Sequence, residues 1–465
     1  MTMHTQFRSW QLASSFTVFR FVSISVSIFF SLFVSSAQAW APHPWLASEA
    51  SLSLQKVVEN ISPPDGRPGA VIAAPSRHSP NYYFHWVRDA GIVMDSVVKE
   101  YVLATDLNTK RVLRRKLIEY LQFSLHIQNV PAPTGLGEPK FHVDGSAFTG
   151  PWGRPQNDGP ALRAMSFIHW AKILIEEGEV DLVRELFYDS KLPSKSVIKR
   201  DLEFVSHRWQ EPSFDLWEEV RGDHFYTRMV QRRALVEGAE LARMLNDTAA
   251  AGWYLQQAKL IETDLMNFWD ESRGYFIATR NPVEGLDYKH SQLDTAVILG
   301  LLHGSMSDGF LPFTDRRVQA TLEKLSIAFS KTYAINQKAG IPGVAIGRYP
   351  EDRYGGANFD GGNPWPLCTL ALAEAYYRAT SETLRTGGVK TRAAKWLAQG
   401  DLFVERVRFH ANADGSLSEQ MDRNTGYMTS VPDLTWNYAA VLSTYWERNA
   451  ATGTGVRAKR NPRFF

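Results

Sequence analysis

Phe214-Asp215-Leu216-Trp217-Glu218-Glu219-Val220-Arg221-Gly222 crowds three carboxylates and a tryptophan into five residues, and it lies between helical patterns over 194–209 and 227–245. No structural element requires that crowding. Like charges on neighbouring positions repel, and where burial adds to repulsion one carboxyl is held protonated near neutral pH, the state a general acid needs. Trp217 supplies an apolar wall that does the burying and a flat face for a ring-shaped ligand. The plainer reading is an acidic loop ahead of a helix, where carboxylates favour the positive end of the dipole. The surrounding chain decides between the two.

Outward from this stretch, apolar residues recur at three- and four-residue spacings over 45–61, 90–105, 110–128, 160–175, 250–269, 292–303, 315–332, 366–380, 391–409 and 433–448. With the two flanking patterns this makes about twelve long helices, plus a short one near 180–188, and strand alternation is nearly absent. Loops rich in Gly, Pro and Trp fall after alternate helices, at 76–88, 131–158, 210–225, 339–365 and 411–432. A dozen helices paired as inner and outer rings bring those loops to a common rim. The expected fold is therefore all-α, an (α/α)6 toroid whose connections at one end carry the chemistry. No composition shift or Ser/Gly linker divides the chain, so one catalytic domain is expected over 40–465.

Lys and Arg number 51 against 49 Asp and Glu. That balance gives no field to hold a nucleic acid or an acidic membrane and points to a neutral ligand. Fourteen Trp and 17 Tyr exceed what a helical core usually needs, and stacking on sugars or bases is one use for them. Residues 1–39 read as an export signal: Arg8 and Arg20 precede an apolar run over 21–34, and Ala37-Gln38-Ala39 offers small residues for cleavage. A secreted or periplasmic protein is expected, with no membrane partner once the signal is removed. Cys368 is the only cysteine, which excludes an intramolecular disulfide. His-Glu-x-x-His, cysteine-cluster and calcium-loop patterns are absent, so no metal or cofactor is expected.

The rim loops hold the remaining candidates. In Trp86-Val87-Arg88-Asp89 an Arg beside an Asp can grip two sugar hydroxyls, one accepting and one donating, or it can be a surface ion pair. In the stretch from Trp152 to Pro160, Trp152 beside Gly153 is a stacking platform, while Asp158 reads as the cap of the next helix. Arg348-Tyr349-Pro350-Glu351-Asp352 and Gly362-Asn363-Pro364-Trp365 form a polar, aromatic loop, and Leu417-Ser418-Glu419-Gln420 adds an isolated carboxylate before the last helix.

Together with Gly150-Pro151-Trp152-Gly153-Arg154-Pro155-Gln156, these motifs resemble, in order and across nearly the whole chain, the glucoamylase family, glycoside hydrolase family fifteen. The resemblance implies an (α/α)6 barrel and an exo-acting hydrolase that releases β-D-glucose from non-reducing ends of α-1,4-glucans and maltooligosaccharides with inversion. It implies Glu218 as general acid and Glu419 as general base, and inversion requires the two carboxyls to lie ~6.5–9.5 Å apart with a water between. Asp215 is expected to orient the loop, and it is the second candidate for the base. The matching positions imply that Arg88, Asp89 and Arg348 hold the terminal glucose, and that Glu219 holds a hydroxyl beyond the cleavage point. Tyr82, Trp86, Trp152, Leu216, Trp217, Tyr354 and Trp365 are the implied walls. A monomer without a separate starch-binding domain is expected, and the 353–362 loop departs from the fungal pattern. Other readings on the same barrel are a trehalase, an exo-hydrolase of α-1,6-glucans, or a non-catalytic sugar-binding protein.

Overall fold

Helices of two kinds alternate along the chain in the computed structural model, which describes residues 40–454. The expected leader and the basic residues 457–465 lie outside the described residues. Twelve helices of nine residues or more are present among the described residues: α1 (Pro44–Glu59), α2 (Val87–Leu103), α3 (Leu107–Ile127), α4 (Gly159–Glu176), α5 (Val197–Arg208), α6 (Phe225–Met244), α7 (Thr248–Met266), α8 (Ala296–Gly304), α9 (Arg316–Thr332), α10 (Pro366–Arg385), α11 (Lys390–His410) and α12 (Thr435–Thr452). The expected short helix is a single turn at Val180–Leu182 running into a π-helical turn at Val183–Phe187.

Even-numbered helices each bury more than half of their residues, as in α4, where 16 of 18 are buried. Odd-numbered ones bury a stripe, as in α9 through Val318, Thr321, Leu322, Leu325 and Phe329, the spacing of one helical face. The buried set packs in a closed circle: α2 on α4, α4 on α6, α6 on α8, α8 on α10, α10 on α12, and α12 back on α2. Outside it α1 packs on α12, α3 on α2, α5 on α4, α7 on α6 and α11 on α10. This is the (α/α)6 barrel.

Side-chain caps follow the same division. His43, Asp106, Asp247 and Asp315 cap the outer helices α1, α3, α7 and α9, whereas none of the six inner helices has a side-chain N-cap bond. The inner N-terminal ends, positive by the helix dipole, therefore face the rim loops directly and favour carboxylates there.

Strands, nearly invisible in the sequence, are short and lace the rim together. β1 (His85–Trp86) pairs with β2 (Lys140–Phe141), joining the first two loops. β3 (Ser213–Phe214), β4 (Val220–His224) and β7 (Thr279–Gly285) form one sheet around the 215–219 turn, and β8 (Ser418–Met421) pairs with β9 (Met428–Pro432). The two remaining strands, β5 (Trp269–Asp270) and β6 (Tyr275–Phe276), pair with each other. Single backbone bonds continue the lacing, from Phe214 N to Pro155 O, Thr295 N to Arg348 O, Met421 N to Pro364 O and Thr435 N to Ala73 O. Runs of two to seven residues are too short for alternation to be read, which is why the sequence concealed them.

Candidate active site

Asp215 organises the turn that opened the sequence analysis. Its Oδ1 accepts from the backbone N–H of Glu219 at 2.7 Å and of Val220 at 3.0 Å, and its Oδ2 lies 3.3 Å from Lys289 Nζ. Burial pushes its carboxyl up, but Lys289, His224 and the two backbone donors outweigh burial and hold it below the ordinary carboxylate range. With both oxygens occupied, Asp215 is a fixed anion behind the turn. The turn carries Glu218 at φ +68, a conformation that non-glycine residues seldom adopt and that aims this side chain away from its neighbours in the sequence. Two glycines let other chain segments press against it. A Cβ on Gly153 would stand 2.8 Å from Glu218 O, and one on Gly285, at φ +107, 2.1 Å from Glu219 O.

Donors from two rim loops converge on Glu218 Oε1: Trp86 Nε1 at 2.7 Å, Gln156 Nε2 at 3.0 Å and Arg88 Nη2 at 3.5 Å. Arg88 is itself fixed through Nη1, which donates to Gln156 at 2.7 Å and to Asp158 at 3.1 Å. The expected cap at Asp158 is not formed. Asp158 occupies the N-cap position of α4, yet its side chain makes no capping bond and pairs with Arg88 instead, because a buried guanidinium is the stronger partner. Asp89 lies 3.8 Å from Arg88 Nε. Burial, aided by Glu218 and Asp158 against the pull of Arg88, pushes its carboxyl up to about 7.

Lys140 stands beside this group with its Nζ 4.5 Å from the Trp86 ring centroid and 3.1 Å from that of Trp152, boxed further by Phe84 and Phe148. Burial pushes its amine down to about 8, against the pull of Glu218. Trp152 is 39 % exposed, with its ring 6.0 Å from Trp86, and so forms the outer edge of the wall.

Glu419, on β8, is fully buried. Its Oε2 accepts from Ser430 Oγ and, at 3.0 Å, from Gln420 Nε2, while its Oε1 has no hydrogen-bond partner. Burial pushes this carboxyl above its ordinary value, opposed by Ser430, Tyr82, Arg348 and Gln420. Tyr82 connects the two halves of the site: its hydroxyl lies 2.9 Å from that of Tyr354, and its ring 5.5 Å from Trp86.

The third cluster is centred on Arg348, which binds Asp352 bidentately at 2.8 and 2.6 Å and Glu219 Oε1 at 2.7 Å. Glu219 Oε2 accepts from Tyr349 at 2.7 Å. Trp217 donates to Asp294 at 2.9 Å and lies 5.9 Å from Trp365, which in turn is 6.3 Å from Tyr354. Leu216 is buried beneath the turn. Residues from all six loops preceding the inner helices thus meet at one end of the barrel.

Lys140, Asp294, Lys289 and Ser430 were not singled out by sequence reasoning, and Tyr349 and Asp352 stood only within the 348–352 stretch, with no role of their own. Lys289 and Asp294 belong to a sixth rim loop, between α7 and α8. Strict alternation of helices and rim loops calls for a loop there, and Asp287-Tyr288-Lys289 supplies charge and an aromatic within it.

The family described as glycosyl hydrolases family 15 matches residues 51–446. A glucoamylase of Blastobotrys adeninivorans is 37% identical over 86% of this chain and 70% of its own length, and glucoamylase 1 of Rhizopus oryzae 34% over 88% and 71%. Among solved structures, the glucoamylase of Saccharomycopsis fibuligera superposes with a TM-score of 0.76 at 31% identity, covering 88% of this chain and 96% of that one. The family 15 glucoamylase of Hypocrea jecorina gives 0.79 at 30% identity, covering 91% and 73%.

Proposed function

The chain belongs to glycosyl hydrolases family 15, and from that premise we propose that it removes β-D-glucose from non-reducing ends of α-1,4-glucans and maltooligosaccharides, with Glu218 as acid and Glu419 as base. The broader activity, hydrolysis of a glucan by a glucoamylase, follows from the family and its curated relatives. The observation that carries the finer reading is the contrast between the two carboxylates. Glu218 takes all its donors on Oε1, so Oε2 can carry the proton given to the departing glycosidic oxygen. Glu419 accepts from Ser430 and Gln420 on Oε2 and keeps Oε1 without a hydrogen-bond partner, able to accept a proton from an attacking water. Asp215 is better suited to positioning than to proton transfer, since both its oxygens are engaged.

Arg88, Asp89 and Arg348 supply donors and acceptors matched to sugar hydroxyls, and Trp86, Trp217, Tyr354 and Trp365 supply ring faces. A pocket of this chemistry rejects mismatched hydroxyls because they leave buried polar groups unpaired. We also propose that the chain acts as a monomer after export. Among the described residues no helix is long and apolar enough to cross a membrane.

The test is to incubate the purified protein with maltose, maltoheptaose, trehalose and isomaltose and to follow anomeric proton signals before mutarotation. Glucose released from maltoheptaose as the β anomer is the expected result. Initial α-glucose overturns inversion, and release from trehalose or isomaltose alone overturns the linkage.

A further inference from the structure

A cavity of about 960 Å3 lies at the end of the barrel remote from the catalytic rim, within the size range of small-molecule sites. It opens among the C-terminal halves of the inner helices and reaches up the axis to Leu162, Leu367 and Trp436 near their N-terminal ends. Its walls combine ion pairs with aromatic faces. Arg233 binds Glu237 at 2.8 Å, and Arg378 binds Glu374 at 2.7 Å. His169 bridges Asp95 and Glu237. Trp436 and Trp446 supply the rings. Burial disfavours charge on His169, but Glu237 and Asp95 outweigh it and push it up to about 9. Six carboxylates therefore face five Lys or Arg and one imidazolium, which leaves no net charge to attract an ion. Three wall atoms, Ser305 Oγ, Ser381 Oγ and Arg378 Nε, are buried without a hydrogen-bond partner.

We infer that this basal cavity is a second binding site, for a neutral polyhydroxylated ligand of the saccharide class. Hydroxyls both donate and accept, so a polyhydroxylated ligand can meet the serine hydroxyls, the guanidinium N–H and the wall carboxylates alike, and the balanced charge of the walls favours a neutral ligand over an ion. The basal walls repeat the composition of the rim, where Arg–carboxylate pairs stand beside tryptophan faces, but here Asp95, Glu237, Glu240, Glu374 and Glu447 are ion-paired and Glu382 accepts from backbone N–H groups. The site binds and does not cleave. None of its residues takes part in the hydrolysis argued above, and only the choice of an α-glucan probe rests on that reading.

The experiment uses the full chain carrying Glu218→Gln, so that the probe persists, and equilibrium dialysis with labelled maltotriose. Two equivalents bound per chain are expected, falling to one when Ala440→Trp fills the basal cavity. Ala440→Trp alone should hydrolyse maltotriose within twofold of the unaltered protein. One equivalent in the Glu218→Gln protein, or two in the combined variant, overturns the inference, as does uptake of inorganic phosphate in place of maltotriose. Should Ala440→Trp not fold, Ser305→Ala with Ser381→Ala decides. A threefold or greater weakening of the second equivalent supports the site, and an unchanged isotherm refutes it. Failure of the catalytic reading shows separately, as absence of glucose release by the unaltered chain.

Discussion

The indole of Trp86 donates to Oε1 of Glu218 at 2.7 Å, so a residue of the pocket wall also fixes the orientation of the acid. Phe at this position keeps the aromatic face and removes the donor. Hydrogen bonds to charged groups contribute ~1.5–3 kcal/mol, and Trp86→Phe should lower kcat on maltoheptaose by about ten- to a hundredfold. Steady-state kinetics check this. A loss confined to KM would mean that the ring face matters and the donor does not.

The acid and base assignments separate on a substrate whose leaving group needs no proton. Glu218→Gln and Glu419→Gln should each lose at least ~10²-fold on maltooligosaccharides. On α-glucosyl fluoride Glu218→Gln should recover much of its rate, because fluoride departs with little protonation, and Glu419→Gln should not, because water still needs a base. Equal recovery by both variants would remove the labels while leaving inversion intact.

Lys289 is buried between Asp215 at 3.3 Å, Asp294 at 3.0 Å and Glu219 at 3.9 Å. Replacing it by Met leaves buried carboxylates without their counter-charge, a loss of ~3–5 kcal/mol by comparison with other broken buried pairs. Urea unfolding should show that destabilisation. Activity should fall as well, since Asp215 holds the turn on which Glu218 stands.

The Glu49 carboxyl should add stability on the acid side of neutrality. Burial, reinforced by Asp414, pushes the Glu49 carboxyl up to about 7, from an ordinary value of 4.5 in the unfolded chain. A carboxyl raised in the folded state contributes stability that is complete below about 4.5 and is lost as pH climbs through about 7. Asp89 acts with the same sign. His85, His303 and His410, which burial holds neutral down to about 3, 3 and 4, act with the opposite sign, so the Glu49 contribution is read as a difference: the Tm of the unaltered protein minus that of Glu49→Gln should fall between about pH 4.5 and 7.5. A slope identical in Glu49→Gln would exclude the role of Glu49.

How much could be read from the sequence depended on the length of each signal. Inner and outer helices are 9 to 21 residues long, enough for apolar spacing to mark all twelve, and their alternation placed the rim. The two-residue strands that lace the loops carry no period. Glu218, Glu219 and Glu419 stood out because carboxylates crowd or stand alone in loops. Lys140 did not, because its identity as a boxed amine depends on Phe84, Trp86, Phe148 and Trp152, which reach it from two separate loops. Asp158 misled because a residue ahead of a helix has two uses, and only the position of Arg88, 70 residues earlier, decides between them.

The closing contact of the inner circle, α12 on α2, has a consequence for synthesis. Glu218 precedes the third inner helix and Glu419 the sixth, so a chain interrupted before α12 holds an open arc, and one interrupted before residue 419 lacks the second carboxyl altogether. The ring closes only when its last member emerges, and contacts of such long sequence separation form slowly. With Glu218 as acid and Glu419 as base, as proposed, a nascent chain should hydrolyse nothing until α12 has emerged.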